Sequence, residues 1–132
     1  MAVEASELAL VPFFGALLPA ELEGLASNGE RVEIEGPGVE ITHQGDFGHS
    51  VFAVLEGDAR VIVDGHVVNQ LSSGDVFGEI AVIASGRRIA TVESLGPMVL
   101  VSFFKRDIWA LERSNAVFAD ALRALRGTDG ES

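Results

Sequence analysis

The chain has no cysteine and few basic residues, and these absences exclude several classes of protein. Without cysteine there can be no disulfide bond and no thiolate chemistry, which fits a reducing compartment such as the cytoplasm. Nine Lys and Arg stand against 20 Asp and Glu, a net charge of −11. Binding of nucleic acid by this chain alone is therefore not expected, because phosphate contacts need clustered cations.

Long hydrophobic runs are also missing. No stretch of 18 uncharged apolar residues occurs, so no membrane span is expected. The N-terminus lacks the basic start and apolar run of a secretory signal. What is present is a chain of 132 residues, 48% of them hydrophobic, which suits one compact domain over residues 1–132 with a core of its own.

Helical patterns lie at both ends of the chain. Residues 4–28 predict a short helix over residues 4–11 that stops at Pro12, and a second helix that begins at Pro19 and ends at Asn28-Gly29. Residues 105–126 predict C-terminal helices with a break near Ser114-Asn115. Seven side chains are predicted to form core between the helices and the strands, the last two in the core or at an interface: Phe13, Phe14, Phe103, Phe104, Trp109, Phe118 and Leu122.

The middle of the chain, residues 30–103, predicts short strands separated by glycine turns. Polar and apolar residues alternate over residues 31–35 and 59–63, as they do in half-buried strands. Asp64-Gly65 between two apolar runs is typical of a two-residue hairpin. The regular spacing of these strands indicates a β-barrel or jelly roll.

Residues 76–92 carry the chemistry. Gly78 lets the backbone approach a ligand, and residues 79–83 can form one helical turn whose free N–H groups face an anion. Arg88 offers a fork of donors suited to phosphate oxygens, and Glu79 offers an acceptor for hydroxyl groups such as those of ribose. Together they predict a pocket for a small, singly charged sugar phosphate.

The same stretch closely resembles the phosphate-binding cassette of cyclic nucleotide-binding domains, the module of the catabolite activator protein, kinase regulatory subunits and cyclic nucleotide-gated channels. The family pattern is Phe-Gly-Glu-aliphatic-Ala, a short loop, and Arg-x-Ala-Thr/Ser-Val. Here it is matched in spacing by Phe77, Gly78, Glu79, Ile80, Ala81, Arg88, Ala90, Thr91 and Val92. Gln44-Gly45-Asp46 and Gly74-Asp75 also resemble family turns, so the resemblance covers roughly residues 5–125.

The resemblance implies a mainly β fold with flanking helices: a double-stranded β-helix (jelly-roll) barrel, N-terminal helices and a C-terminal helical lid. It places Arg88 on the cyclic phosphate, Glu79 on the ribose, and Thr91 near the purine or the phosphate. The ligand-binding residues it implies are Phe77, Gly78, Glu79, Ile80, Ala81, Arg88, Ile89, Ala90 and Thr91.

Cyclic AMP is expected rather than cyclic GMP, because guanine preference in the family is often associated with a Thr after the phosphate arginine, and Ile89 stands there. No metal is expected, since His43, His49 and His66 are irregularly spaced. No catalytic constellation is present either, so the chain is not expected to be an enzyme.

Ligand binding is expected to draw the C-terminal helix toward the barrel, with Phe118 and Leu122 as a possible lid over the purine. The predicted partners are a second copy of the chain or a separate effector protein. Two alternatives remain open. One is a jelly-roll interaction module that works without ligand, and the other is a regulatory fragment of a larger transcription factor, channel or enzyme.

Overall fold

A computed structural model describes residues 3–78 and 87–130, with side chains to residue 124. Helices lie at both ends and strands between them. The helical elements are α1 (Ala5–Leu8), a 3-10 turn (Pro12–Phe14), α2 (Pro19–Asn28), α3 (Lys105–Ser114) and α4 (Ala116–Gly130). Among the described residues, none of these helices combines the length and the apolar character that crossing a bilayer requires.

The strands form two antiparallel sheets that face each other as a jelly roll. They are β1 (Glu30–Ile34), β2 (Glu40–Thr42), β3 (Ser50–Glu56), β4 (Ala59–Val63), β5 (His66–Leu71), β6 (Val76–Phe77), β7 (Thr91–Ser94) and β8 (Met98–Phe104). The orders are β1-β8-β3-β6 and β2-β7-β4-β5. The predicted mainly β jelly roll with flanking helices is confirmed.

The β4–β5 turn has the geometry that its sequence predicts. Asp64 and Gly65 both have positive φ, 51° and 81°, as a two-residue hairpin of this kind needs. The Gln44 side chain fastens the turn, because its Nε2 donates to Asp64 Oδ1 at 2.9 Å and its Oε1 accepts from the Asp64 N–H at 2.9 Å. The hairpin is therefore tied to the loop that follows β2.

Two hydrophobic clusters lie on opposite faces of the first sheet. The helical core joins the helices to that sheet, and its fully buried large side chains are Leu8, Val11, Phe14, Val51, Phe103, Ile108, Phe118 and Leu122. The barrel core lies between the sheets and contains Val54, Ala59, Leu71, Phe77, Val92, Met98 and Leu100. Burying each large side chain stabilises the fold by about 1.5–3 kcal/mol.

Two sequence-based expectations about the core and the helices are wrong. The first helix ends at Leu8 rather than at residue 11, because proline disfavours helical backbone in the residue before it, and Val11 is extended (φ −86°, ψ 115°). Phe104 is not core but 53% exposed. Successive strand residues face opposite ways, so Phe103 takes the inward position on β8 and Phe104 points outward, with the Arg106 guanidinium 5.1 Å from its ring centre.

Asn115 forms the break between α3 and α4 that the sequence predicts. Its Oδ1 accepts the Phe118 N–H at 3.1 Å, which caps α4. Its Nδ2 donates to the Ala16 carbonyl at 3.1 Å and to Glu21 Oε1 at 3.0 Å. One side chain thus joins the C-terminal helix pair to the N-terminal segment.

Asn115→Ala should lower the free energy of unfolding by about 1–2 kcal/mol, because the α4 cap and both donated hydrogen bonds are lost together. Urea denaturation measures the change. Ser114→Ala is the matched control, since Ser114 Oγ makes only a 3.5 Å contact with the Leu111 carbonyl on the exposed side of the helix. Equal effects of the two substitutions would show that Asn115 does not link these segments.

Candidate functional site

The backbone of Arg88 is pinned to the loop between β2 and β3. Its N–H donates to the Asp46 carbonyl at 2.7 Å, and its carbonyl accepts from the Gly45 N–H at 2.9 Å. The neighbouring residue, Arg87, forms an antiparallel bridge with Phe47. Since these are hydrogen bonds between main-chain groups, the Cα of Arg88 is placed independently of any ligand.

The Arg88 side chain reaches across to the end of β6. Its Nη1 donates to the Gly78 carbonyl at 3.2 Å, and its guanidinium carbon lies 5.7 Å from the ring centre of Phe52. Gly78 has φ +93°, and a Cβ there would lie 2.6 Å from Nη1 and 3.0 Å from the Ser50 carbonyl oxygen. Only glycine meets both conditions, positive φ and close approach of the arginine.

The floor beneath the guanidinium is aromatic. Phe52 and Phe77 are paired across β3 and β6, and their rings stack with centres 5.0 Å apart and planes 17° apart. Phe77 is itself buried in the barrel core. Burial lowers the pKa of the Arg88 guanidinium from its ordinary value. Arginine nevertheless stays protonated in proteins, so a full positive charge is held against an apolar surface.

That charge has no anionic partner in the part of the chain that the structure describes. Arg31, Arg60 and Arg123 each pair with a carboxylate there, namely Glu7, Glu93 and Asp120. No carboxylate among residues 3–78 and 87–124 comes within ion-pair distance of Arg88. Burial of a charge costs free energy until the charge is paired, so a half-buried guanidinium with no carboxylate partner among the described residues is suited to hold an anion.

The structure brings together three of the predicted ligand residues: Phe77, Gly78 and Arg88. Ile89 follows Arg88 and is 42% exposed, and Ala90 is half-buried. Thr91 is buried, and its Oγ1 accepts the Gln44 N–H at 3.0 Å, so its hydroxyl also holds the β2–β3 loop. Three other predicted ligand residues, Glu79, Ile80 and Ala81, lie outside the described residues, as does the helical turn predicted over residues 79–83.

The possible lid residues lie elsewhere. Phe118 and Leu122 are fully buried in the helical core, where the Phe118 ring centre is 5.0 Å from that of Phe13 and 6.5 Å from that of Phe14. To cover a purine they would have to leave this core, so their lid role stays a prediction.

Sequence reasoning missed two residues of the site. Phe52 and Gly48 come from β3 and the loop before it, about 40 positions from Arg88, and no local pattern connects them to the arginine. Arg87, the residue before Arg88, has a different environment. It is exposed, with its guanidinium carbon 4.3 Å from the centre of the Phe47 ring and Nη1 donating to the Gly45 carbonyl.

The remaining polar residues do not suggest a metal centre. Within the described ranges no three His, Asp or Glu side chains are grouped so that they could hold a metal ion. His43 lies 3.2 Å from Glu40, an exposed pair on the outer surface. The chemistry of the site is therefore that of Arg88 and the backbone around Gly78.

A jelly roll that presents a desolvated arginine beside a glycine turn is chemically suited to hold an anion, and comparison with known proteins agrees with this reading. The sequence profile of the cyclic nucleotide-binding domain matches residues 36–115. The chain belongs to this family. It is a cyclic nucleotide-binding regulatory domain.

Individual relatives are of several kinds. The chain is 34% identical to a cGMP-dependent protein kinase of Eimeria tenella over 110 residues, 83% of this chain and 10% of the kinase. It is 30% identical to the cyclic AMP receptor protein of Thermus thermophilus over 120 residues, 86% of this chain and 55% of that protein. The crystal structure of the catabolite activator protein of Thermus thermophilus superposes with a TM-score of 0.74 at 29% identity, covering 91% of this chain and 61% of that one. The chain thus spans only part of the proteins it matches.

Arg88→Ala should weaken binding of a cyclic nucleotide roughly 30-fold or more, because truncating one partner of a buried charge pair costs about 2–5 kcal/mol. Arg87→Ala is the matched control. Its guanidinium lies over the exposed Phe47 ring, so affinity should change far less. Isothermal titration of both variants measures the difference, and a larger loss for Arg87→Ala would mean that the phosphate site is assigned to the wrong arginine.

Proposed function

We propose that this chain is a cyclic AMP sensor that passes the binding event to its C-terminal helices. The observation that carries the proposal is Arg88, a half-buried guanidinium with its backbone pinned by the β2–β3 loop and no anionic partner among the described residues. The cyclic phosphate is the anion that would complete it.

The rest of the nucleotide would lie on the residues around Gly78. The carbonyl of Gly78 now accepts from Arg88, so the guanidinium already lies beside the turn from which the cassette begins. We assign the ribose hydroxyl to Glu79 and the sugar phosphate to the backbone of Ile80 and Ala81, from their place in the sequence. Charge-assisted hydrogen bonds of about 1.5–3 kcal/mol each would offset the cost of burying the anion.

Adenine is favoured over guanine by the residue after Arg88. Ile89 is 42% exposed and aliphatic, so its side chain offers no donor or acceptor to the extra groups of guanine. The similar proteins include both a cyclic AMP receptor and a cGMP-dependent kinase. The proposed preference for cyclic AMP therefore rests on Ile89 and not on sequence similarity to these proteins.

Isothermal titration should show that cyclic AMP binds more tightly than cyclic GMP and much more tightly than 5′-AMP. The reason for the second difference is size and charge: the open phosphate is bulkier and carries more negative charge, in a chain whose net charge is already −11. Equal affinity for cyclic AMP and 5′-AMP would contradict the proposal. If none of the three nucleotides bound, the alternative of a jelly-roll interaction module that works without ligand would be favoured.

A short chain of contacts leads from the site to the C-terminal helices. The loop between β2 and β3 holds Arg88 through Asp46. The same loop contacts α3, because its His49 carbonyl accepts the Lys105 N–H at 3.1 Å. Lys105 is the first residue of α3, and α3 leads to the Asn115 junction with α4. A change in the loop on ligand binding would therefore act directly on the start of α3.

Movement of α4 is limited at its beginning. Phe118 and Leu122 fix its first two turns in the helical core. We propose that ligand changes how firmly α4 is held there, through the β2–β3 loop and α3. A ligand shifts such a conformational equilibrium only by its differential affinity for the two states. A second copy of the chain or a separate cytoplasmic effector would read the change.

Hydrogen exchange of the amides of residues 115–125 should slow when cyclic AMP is added, beyond the slowing at residues 76–92. Strand β1 is an internal control, since it pairs with β8 at the edge of the first sheet, outside the proposed path, and should change little. Protection confined to residues 76–92 would show that the chain binds nucleotide without passing a signal through α4.

A further inference from the structure

Gly48 lies directly against the root of the Arg88 guanidinium. A Cβ built on Gly48 would lie 2.6 Å from Arg88 Cζ and 2.9 Å from Arg88 Cδ, and nearer still to Nε. Real Cβ atoms do not approach other heavy atoms so closely. Any side chain at residue 48 would therefore have to displace the arginine.

The glycine at 48 is not explained by backbone conformation. Within the described ranges the glycines with positive φ are Gly38, Gly45, Gly57, Gly65, Gly74 and Gly78, and Gly48 is not among them. Since an L-residue could adopt its φ, what excludes a side chain is contact with Arg88 rather than strain. Gly48 is also buried, so a side chain there would meet its neighbours rather than solvent.

The backbone on either side of this contact is fixed. The Asp46 carbonyl accepts the Arg88 N–H, and the His49 carbonyl accepts the Lys105 N–H, so main-chain hydrogen bonds hold the loop both before and after Gly48. The Arg88 side chain is the flexible partner. A methyl group at residue 48 should therefore move the guanidinium and leave the loop in place.

We infer that Gly48 is a positioning residue for the proposed phosphate site: its missing side chain sets where the Arg88 guanidinium lies. Three groups then define the position of the guanidinium. Gly48 lies against Cδ, Nε and Cζ of Arg88, the Gly78 carbonyl accepts from Nη1, and the centre of the Phe52 ring lies 5.7 Å from the guanidinium carbon. A guanidinium binds phosphate through donors in a rigid fork, so its orientation matters as much as its charge. The inference rests on the proposed function of the site.

The test is a graded series at residue 48. Gly48→Ala should weaken cyclic AMP binding about tenfold, a part of the loss caused by removing the guanidinium, and Gly48→Val should weaken it more. Gly36→Ala and Gly36→Val are the matched controls, because Gly36 also lacks positive φ and a Cβ there would meet nothing within 4 Å. Both controls should stay within about twofold of the wild type, since surface changes of this kind are nearly neutral.

The same substitution in the Arg88→Ala variant separates a positioning role of Gly48 from general damage to the fold. In Arg88→Ala protein the obstructing side chain is gone, so adding Gly48→Ala should change neither affinity nor thermal stability further. A fall in affinity of the same size in both backgrounds would mean that Gly48 acts through something other than Arg88, which overturns the inference.

The Nε–Hε resonance of Arg88, recorded without ligand, tests the contact independently of binding. Gly48→Ala should shift it and Gly36→Ala should not. If the wild type binds no cyclic nucleotide, the proposed function fails, while this resonance still shows whether Gly48 places Arg88. If the wild type binds but Gly48→Ala matches Gly36→Ala in both affinity and resonance, the inference fails and the proposed function stands.

Discussion

The site depends on two hydrogen bonds between main-chain groups. They join Arg88 to Gly45 and Asp46, and so hold together two segments that lie more than 40 positions apart in the chain. Neither bond involves a side chain, but Gly45 has a φ of +92°, which favours glycine at that position of the loop. The pairing places the arginine against Gly78, Gly48 and Phe52, and it brings the same loop to the first residue of α3. The position of the Arg88 guanidinium and the contact with α3 therefore depend on the same loop and its two main-chain hydrogen bonds.

The electrostatics of this arrangement are opposed to those of the chain as a whole. The chain has 20 acidic and nine basic residues, and the resulting negative potential repels an anion at long range. Attraction must then come from close contact, where a desolvated charge acts in a lower dielectric than water. The lowered pKa of Arg88 reports that desolvation. The cost of desolvating this charge is therefore local to the site, and an anion paired with the guanidinium would reduce it.

Much of the fold could be predicted from the sequence because its signals are local. The hairpin at Asp64-Gly65, the start of α2 at Pro19 and the break at Asn115 each follow from residues within a few positions. Phe104 was predicted wrongly, because composition marks it as core and only the register of β8 shows that Phe103 takes the buried position.

The residues of the site also divide into those that could be predicted from the sequence and those that could not. Gly78 and Arg88 could be predicted because they belong to one short motif, and the structure places them in contact. Phe52 and Gly48 could not, because their role arises from a pairing of distant segments that leaves no periodic signal in either. The role of Glu79 stays a prediction drawn from the motif alone. A sequence thus shows which residue types can bind a phosphate more readily than it shows what holds them in place.

The two central strands of the first sheet separate the helical core from the barrel core by simple alternation. On β3, Val51 and Ala53 face the helices while Val54 faces the barrel; on β8, Val101 and Phe103 face the helices while Leu100 faces the barrel. Substitutions at neighbouring positions of one strand therefore meet different surroundings, one set in the helical core and the other in the barrel core. Side-chain volume in one core can change without repacking the other, because the sheet between them keeps the two sets of contacts apart.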